Sequence, residues 1–179
     1  MHLWVSGFST RPADVDATLA SIHVKLADVT VQLVDLDRVP GSRYTLLAVL
    51  NALRSFHSKQ PIAKTLGMEI LLYIAANRQI GEAIRRAGIS PTTKRTVAVL
   101  VGTSKDELTK AIGLLEETIG VKCEDTLVDD WPQDRIKIVQ GAFEIGPKEL
   151  KATLRANETK ATAIERLAIE RSALLTIRK

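Results

Sequence analysis

A single cysteine, Cys123, in a chain of 179 residues excludes an internal disulfide and a cysteine-based zinc site. A reducing compartment is the simple reading, with Cys123 as a small buried side chain. Histidine is scarce too. His2, His23 and His57 are scattered, and none has the i, i+4 spacing of a helical metal pair, so no metal or cofactor is expected. The aromatics, 2 Trp, 2 Tyr and 3 Phe, are dispersed, which argues against the paired stacking aromatics of an RRM strand. No apolar run reaches membrane-spanning length and no basic-then-apolar start resembles a signal peptide, so a cytoplasmic protein without membrane contact is expected. Walker, G-x-G-x-x-G, nucleophile-elbow and kinase patterns are all missing, which lowers the odds of an enzyme and of a small-molecule substrate.

What is present is ordinary globular material: 45% hydrophobic, 26% charged, formal charge +4 and pI about 9.3. That size buries a sizeable core, and one domain over 1–179 is expected. The basic balance permits nucleic acid or an acidic partner and identifies neither.

Helices alternate with strands along the chain. His2 to Phe8 alternates as a strand, and a helix started by Pro12 places Val15, Leu19, Ile22 and Leu26 on one face. Val29 to Leu36 reads as a second strand, and Pro40-Gly41-Ser42 as a turn. The next helix carries Leu46, Leu47, Val49, Leu50 and Leu53 through to Phe56, and Pro61 ends it. Thr96 to Val101 is β-branched without alternation, as befits a strand covered on both faces. Val101-Gly102-Thr103-Ser104 runs from that strand into a helix, where a plain capped turn explains it better than a phosphate loop. Ser104 with Glu107 predicts a capping box, and Gly120 the helix end. Gly146-Pro147 with Glu149 starts a short helix, and Ala161 to Ile177 a longer one with Ile164, Leu167, Ala168, Leu174 and Leu175 as its stripe. The fold class is therefore α/β: a single domain with a small central sheet, several packed helices and a helical C-terminal third. From Arg135 onward there are 10 Lys or Arg against 5 Glu. This basic third fits RNA phosphates, a partner surface or a solvated helix face. The acidic loop Glu124, Asp125, Asp129, Asp130 and Asp134 fits either a cation or plain solvation, without the glycine turn of a calcium loop. A small enzyme built on that loop is the third class of reading.

The most informative stretch is Lys64 to Ile89, KTLGMEILLYIAANRQIGEAIRRAGI. Leu66, Met68, Ile70, Leu71, Leu72, Tyr73 and Ile74 predict a central helix with Lys64 and Glu69 at its wet end. Asn77 suits a C-terminal cap, an N-cap or both. Ile80, Ala83, Ile84 and Ala87 then share one helical face, leaving Arg78, Gln79, Glu82, Arg85 and Arg86 outward, with Gly88 as the C′ residue. An arginine near a helix N-terminus adds nothing to helix stability, so Arg78 reads either as an anion ligand or as an idle surface side chain.

The order Lys64-Thr65, Glu69-Ile70-Leu71-Leu72-Tyr73, Arg78-Gln79-Ile80, Ala83-Ile84 and Gly88-Ile89 resembles the KEOPS kinase-binding subunit family, that of the PRPK-binding protein TPRKB, and archaeal members above all. The sharp match covers about 26 residues, 64–89. Weaker similarity runs the whole length. The resemblance implies a non-catalytic subunit with two partners: the atypical small kinase subunit of the complex and, in archaea, the acceptor CCA end of tRNA. The task it implies is support of threonylcarbamoylation of the adenosine beside the anticodon. The residues expected at the tRNA are Arg78, Gln79, Ile80, Arg85, Arg86, Lys64 and Lys59. Where the family implies a Ser-Gly-like turn, this chain has Ala76-Asn77. The alternative is an adaptor for the kinase-like subunit without RNA affinity, as in eukaryotic relatives whose Arg-Gln position is often uncharged.

Overall fold

The computed structural model describes residues 1–58 and 61–177. Among these, β1 (His2–Phe8), β2 (Thr30–Asp35) and β3 (Thr96–Gly102) form one sheet in the order β1-β3-β2, with β3 antiparallel to both neighbours. All seven residues of β3 are buried. Its pleat sends Val97, Val99 and Val101 to one face and Ala98 and Leu100 to the other, so each face seeds its own apolar cluster. That is why the sequence of β3 shows no alternation.

The smaller cluster joins Ala98 and Leu100 to Ile22 of α1 (Val15–Lys25) and to Leu108 and Leu115 of α5 (Lys105–Ile119). The larger one gathers α2 (Ser42–His57), α3 (Leu66–Ile74), α4 (Ile80–Ala87), α6 (Gln133–Ala142), α7 (Pro147–Thr153) and α8 (Lys160–Ile177). The three helices between β2 and β3 and the helical C-terminal third were both expected. α6 was not resolved from sequence as a separate element.

Several local expectations change. The first helix starts at Val15, because the side chain of Asp14 caps it by accepting from the Ala17 amide at 2.9 Å. Ser104 is the N-cap of α5, but its hydroxyl makes no cap bond, so the capping box does not form. The Glu149 carboxylate does reach back to the Gly146 amide, at 3.3 Å. On α2 the buried face is Tyr44, Thr45, Ala48, Val49 and Ala52, while Leu46 and Leu50 are exposed by 44% and 39%. Gly41, at φ 106°, turns the chain into that helix. On α8, Ile164, Leu167 and Ala168 are buried as predicted. Leu174, Leu175 and Ile177 lie outside the described side chains. No helix among the described residues is long and apolar enough to cross a membrane.

Candidate nucleic-acid interface

The segment carrying Arg78 hangs from the C-terminal end of α3. Its residues Ile70 to Ile74 are all at most 2% exposed. The chain leaves the helix through a Schellman turn: the Asn77 amide donates to Leu72 O at 3.0 Å and the Ala76 amide to Tyr73 O at 3.2 Å. Ala76 occupies the left-handed position of that turn, φ 47°. Below it, the Tyr44 hydroxyl donates to Tyr73 O at 3.1 Å and Ile74 O at 2.8 Å, and the Ser172 hydroxyl to Tyr73 O at 3.3 Å. Burial pushes the Tyr44 phenol well above its ordinary range. The helix end is thus held by α2 and α8 together.

Asn77 takes a different role from that predicted. Its amide closes the Schellman turn, and its side-chain carbonyl accepts from the Gln79 amide at 2.8 Å, while Gln79 is the N-cap of α4. Gln79 supplies no side-chain cap, which leaves the first-turn amides of α4 open to an outside acceptor. Arg78 is exposed between these two turns, with Gln79 and Ile80 exposed beside it.

The predicted apolar face of α4 splits. Ala83 and Ala87 are buried, whereas Ile80 and Ile84 are 45% and 47% exposed. Only small side chains fit against the body of the protein, so the two isoleucines form an apolar ledge next to the cations. Gly88 ends the helix with φ −67°, not left-handed. Its missing Cβ matters for another reason: a Cβ there would lie 2.5 Å from Ile84 O.

Arg85 pairs with Glu82 on the same helix, which lowers the Glu82 carboxyl and raises the guanidinium. Arg86 reaches Glu144 Oε1 at 3.1 Å, in the turn after α6. Arg38, in the 3₁₀ turn Leu36–Arg38 after β2, donates to Arg85 O at 3.0 Å and Arg86 O at 3.4 Å, filling the C-terminal carbonyls of α4. Arg38 was not legible as a site residue, because nothing in sequence places it beside α4.

Lys64 is exposed just before Thr65, the N-cap of α3, so the nine residues of that helix separate it from Arg78. At about 1.5 Å per residue this is roughly 13 Å, and α3 does not bring the two cations together. Lys59 lies outside the described residues. The predicted wet end of α3 is not wet: Glu69 is 0% exposed, and its Oε2 accepts from the Ile62 and Ala63 amides at 2.9 and 2.7 Å. The loop leading to Lys64 folds over it.

The acidic loop has structural work. Asp129 accepts from the Ser42 amide at 2.8 Å and from its hydroxyl at 2.6 Å, and Asp130 pairs with Arg95 at 2.8 Å. Among the described residues, no cluster of three or more His, Cys, Asp or Glu could hold a metal ion. Cys123 is half-buried and burial raises its thiol, which disfavours the nucleophilic thiolate.

Against known sequences, the model of a family described as "Kinase binding protein CGI-121" matches residues 13–176. No curated protein matches the chain.

Proposed function

The chain belongs to the CGI-121 family of kinase-binding proteins, and we propose that it serves a KEOPS-like complex as a non-catalytic subunit holding both the atypical kinase subunit and the acceptor CCA end of tRNA. It works by positioning, in support of tRNA threonylcarbamoyladenosine modification in the cytoplasm, in the manner that the resemblance to archaeal members implies. The observation that carries the RNA half is the exposed corner at the start of α4. Arg78 supplies charge, Gln79 an amide, the uncapped first turn free N–H groups, and the half-exposed Ile80 a ledge for a base. Phosphate-binding cations, an amide for base edges and an apolar stacking surface are what short-end recognition requires. Arg85 and Arg86 continue the charge along α4.

The adaptor reading without RNA has its own support. Leu46 and Leu50 on α2, and Ile80 and Ile84 on α4, expose apolar surface of the type that protein interfaces cover.

Affinity for tRNA with and without its CCA end, at about 0.1 M salt where long-range attraction is partly screened, separates the two. The expected result is a strong drop on trimming. Arg78→Ala is expected to remove most of that difference while pull-down of the kinase subunit is unchanged. Equal binding of both tRNAs leaves only nonspecific attraction, and no binding of either moves the function to the adaptor.

A further inference from the structure

A cleft of about 450 Å³ opens beside the C-terminal end of α4, between it, the Leu36–Arg38 turn and α6. Four cations line it, Arg38, Arg85, Arg86 and Lys137, against one carboxylate, Glu144. Arg38 and Lys137 also line a neighbouring opening of about 580 Å³, where Asp35, Asp37 and Asp134 offset part of the positive charge. The cations differ in how far they are committed. Arg38 is fixed by the α4 carbonyls and by Asp35 at 3.4 Å, and Arg85 by Glu82. Lys137 is exposed and makes no salt bridge among the described residues. Among the described residues Arg86 pairs with Glu144, whose own side chain is 78% exposed. Glu144 sits at φ 54°, in the left-handed position of the Schellman turn that ends α6, where the Ile145 amide donates to Gln140 O at 2.9 Å. A backbone turn therefore aims one carboxylate at the arginine of an otherwise cationic cleft.

We propose that this cleft is a second RNA contact, in which Arg38, Arg86 and Lys137 take phosphates of the tRNA backbone and Glu144 occupies the Arg86 position until RNA displaces it. The inference rests on the RNA half of the function proposed above. Ile80 to Arg86 spans about 9 Å of helix, close to the rise of three stacked nucleotides at about 3.4 Å each. A strand that ends at Ile80 and follows α4 therefore reaches the cleft a few nucleotides back from its 3′ end. The lining contains no aromatic side chain and is mainly charged, which suits a sequence-independent backbone and not an enclosed small molecule.

The test is tRNA affinity as a function of salt, on full-length and CCA-trimmed tRNA, for the wild type, Lys137→Gln and Glu144→Asn. Asparagine tolerates the left-handed backbone, so the second variant removes the charge and keeps the turn. Lys137→Gln is expected to weaken both tRNAs by about the same factor and to reduce the salt slope by about one, the signature of one lost phosphate contact. Glu144→Asn is expected to tighten both. Unchanged affinity and slope in Lys137→Gln, or no gain in Glu144→Asn, overturns the cleft even if the wild type still prefers the CCA end. Both shifts appearing without any CCA preference would support the cleft and sink the acceptor-end reading. A wild type that binds neither tRNA overturns both.

Discussion

Ala76 holds a backbone conformation that its own side chain opposes. At φ 47° an alanine is strained by roughly 1 kcal/mol, because Cβ crowds the following carbonyl, whereas glycine has no such conflict. The turn survives because the two hydrogen bonds of the Schellman motif close around it and Tyr44 and Ser172 hold the carbonyls beneath. Ala76→Gly is therefore expected to stabilise the protein by up to about 0.5 kcal/mol in urea unfolding, the relieved strain less glycine's entropic cost. A loss of stability would mean that the left-handed turn before Arg78 is not the native one.

For α3 the decisive feature is how its C-terminal carbonyls are satisfied inside the core. Tyr44→Phe keeps the ring, and its edge-on contact with Phe143 at 5.4 Å, but leaves Ile74 O without that donor. The expected loss is about 1–3 kcal/mol, that of a buried acceptor left unpaired. The same hydroxyl gives a pH signature. Burial raises its pKa in the folded protein, so above the ordinary tyrosine value of about 10 the folded state keeps a proton that the unfolded chain gives up. Its contribution is complete below about pH 10 and declines as pH rises beyond it. Alkaline unfolding of the wild type should show this decline, and Tyr44→Phe should flatten it; identical pH profiles would remove Tyr44 as the cause.

Across the molecule, a buried cation adds to the apolar packing that joins the helical C-terminal third to the rest of the fold. Arg135 on α6 is 0% exposed and donates to Val39 O and Val128 O at 2.8 Å each and to Asp130 O, with its guanidinium 4.7 Å from the Trp131 ring. Burial pulls its pKa down to about 10, which still leaves it charged at neutral pH. This one side chain sets α6, and with it Lys137 and Glu144, against the segment that carries Arg38. Arg135→Leu is expected to destabilise by roughly 2–4 kcal/mol, because several carbonyls lose their donor at once. For a chain of this size that corresponds to a fall of roughly 5–15 °C in thermal midpoint. A change of only a degree or two would show that the carbonyls find other donors.

What the chain's letters determine by themselves is local. The β-branched run of Thr96 to Val101, the apolar density of Leu66 to Ile74 and the glycine at 120 announce a buried strand, a core helix and a helix end, and all three are there. Periodicity also finds the α4 face, but it cannot say how close the neighbouring surface comes. Ala83 and Ala87 are buried while Ile80 and Ile84, at equivalent spacing, are half-exposed. Glu69 reads as solvent-facing because carboxylates usually are, and it is buried because two amides of a folded-over loop supply its hydrogen bonds. Arg78 and Gln79 were legible as candidates since their context is a few adjacent residues. Arg38 and Lys137, 99 positions apart, were not. Their meeting depends on α6 docking beside the end of β2, and that docking is decided by side chains packing across elements, which no pattern along the chain encodes.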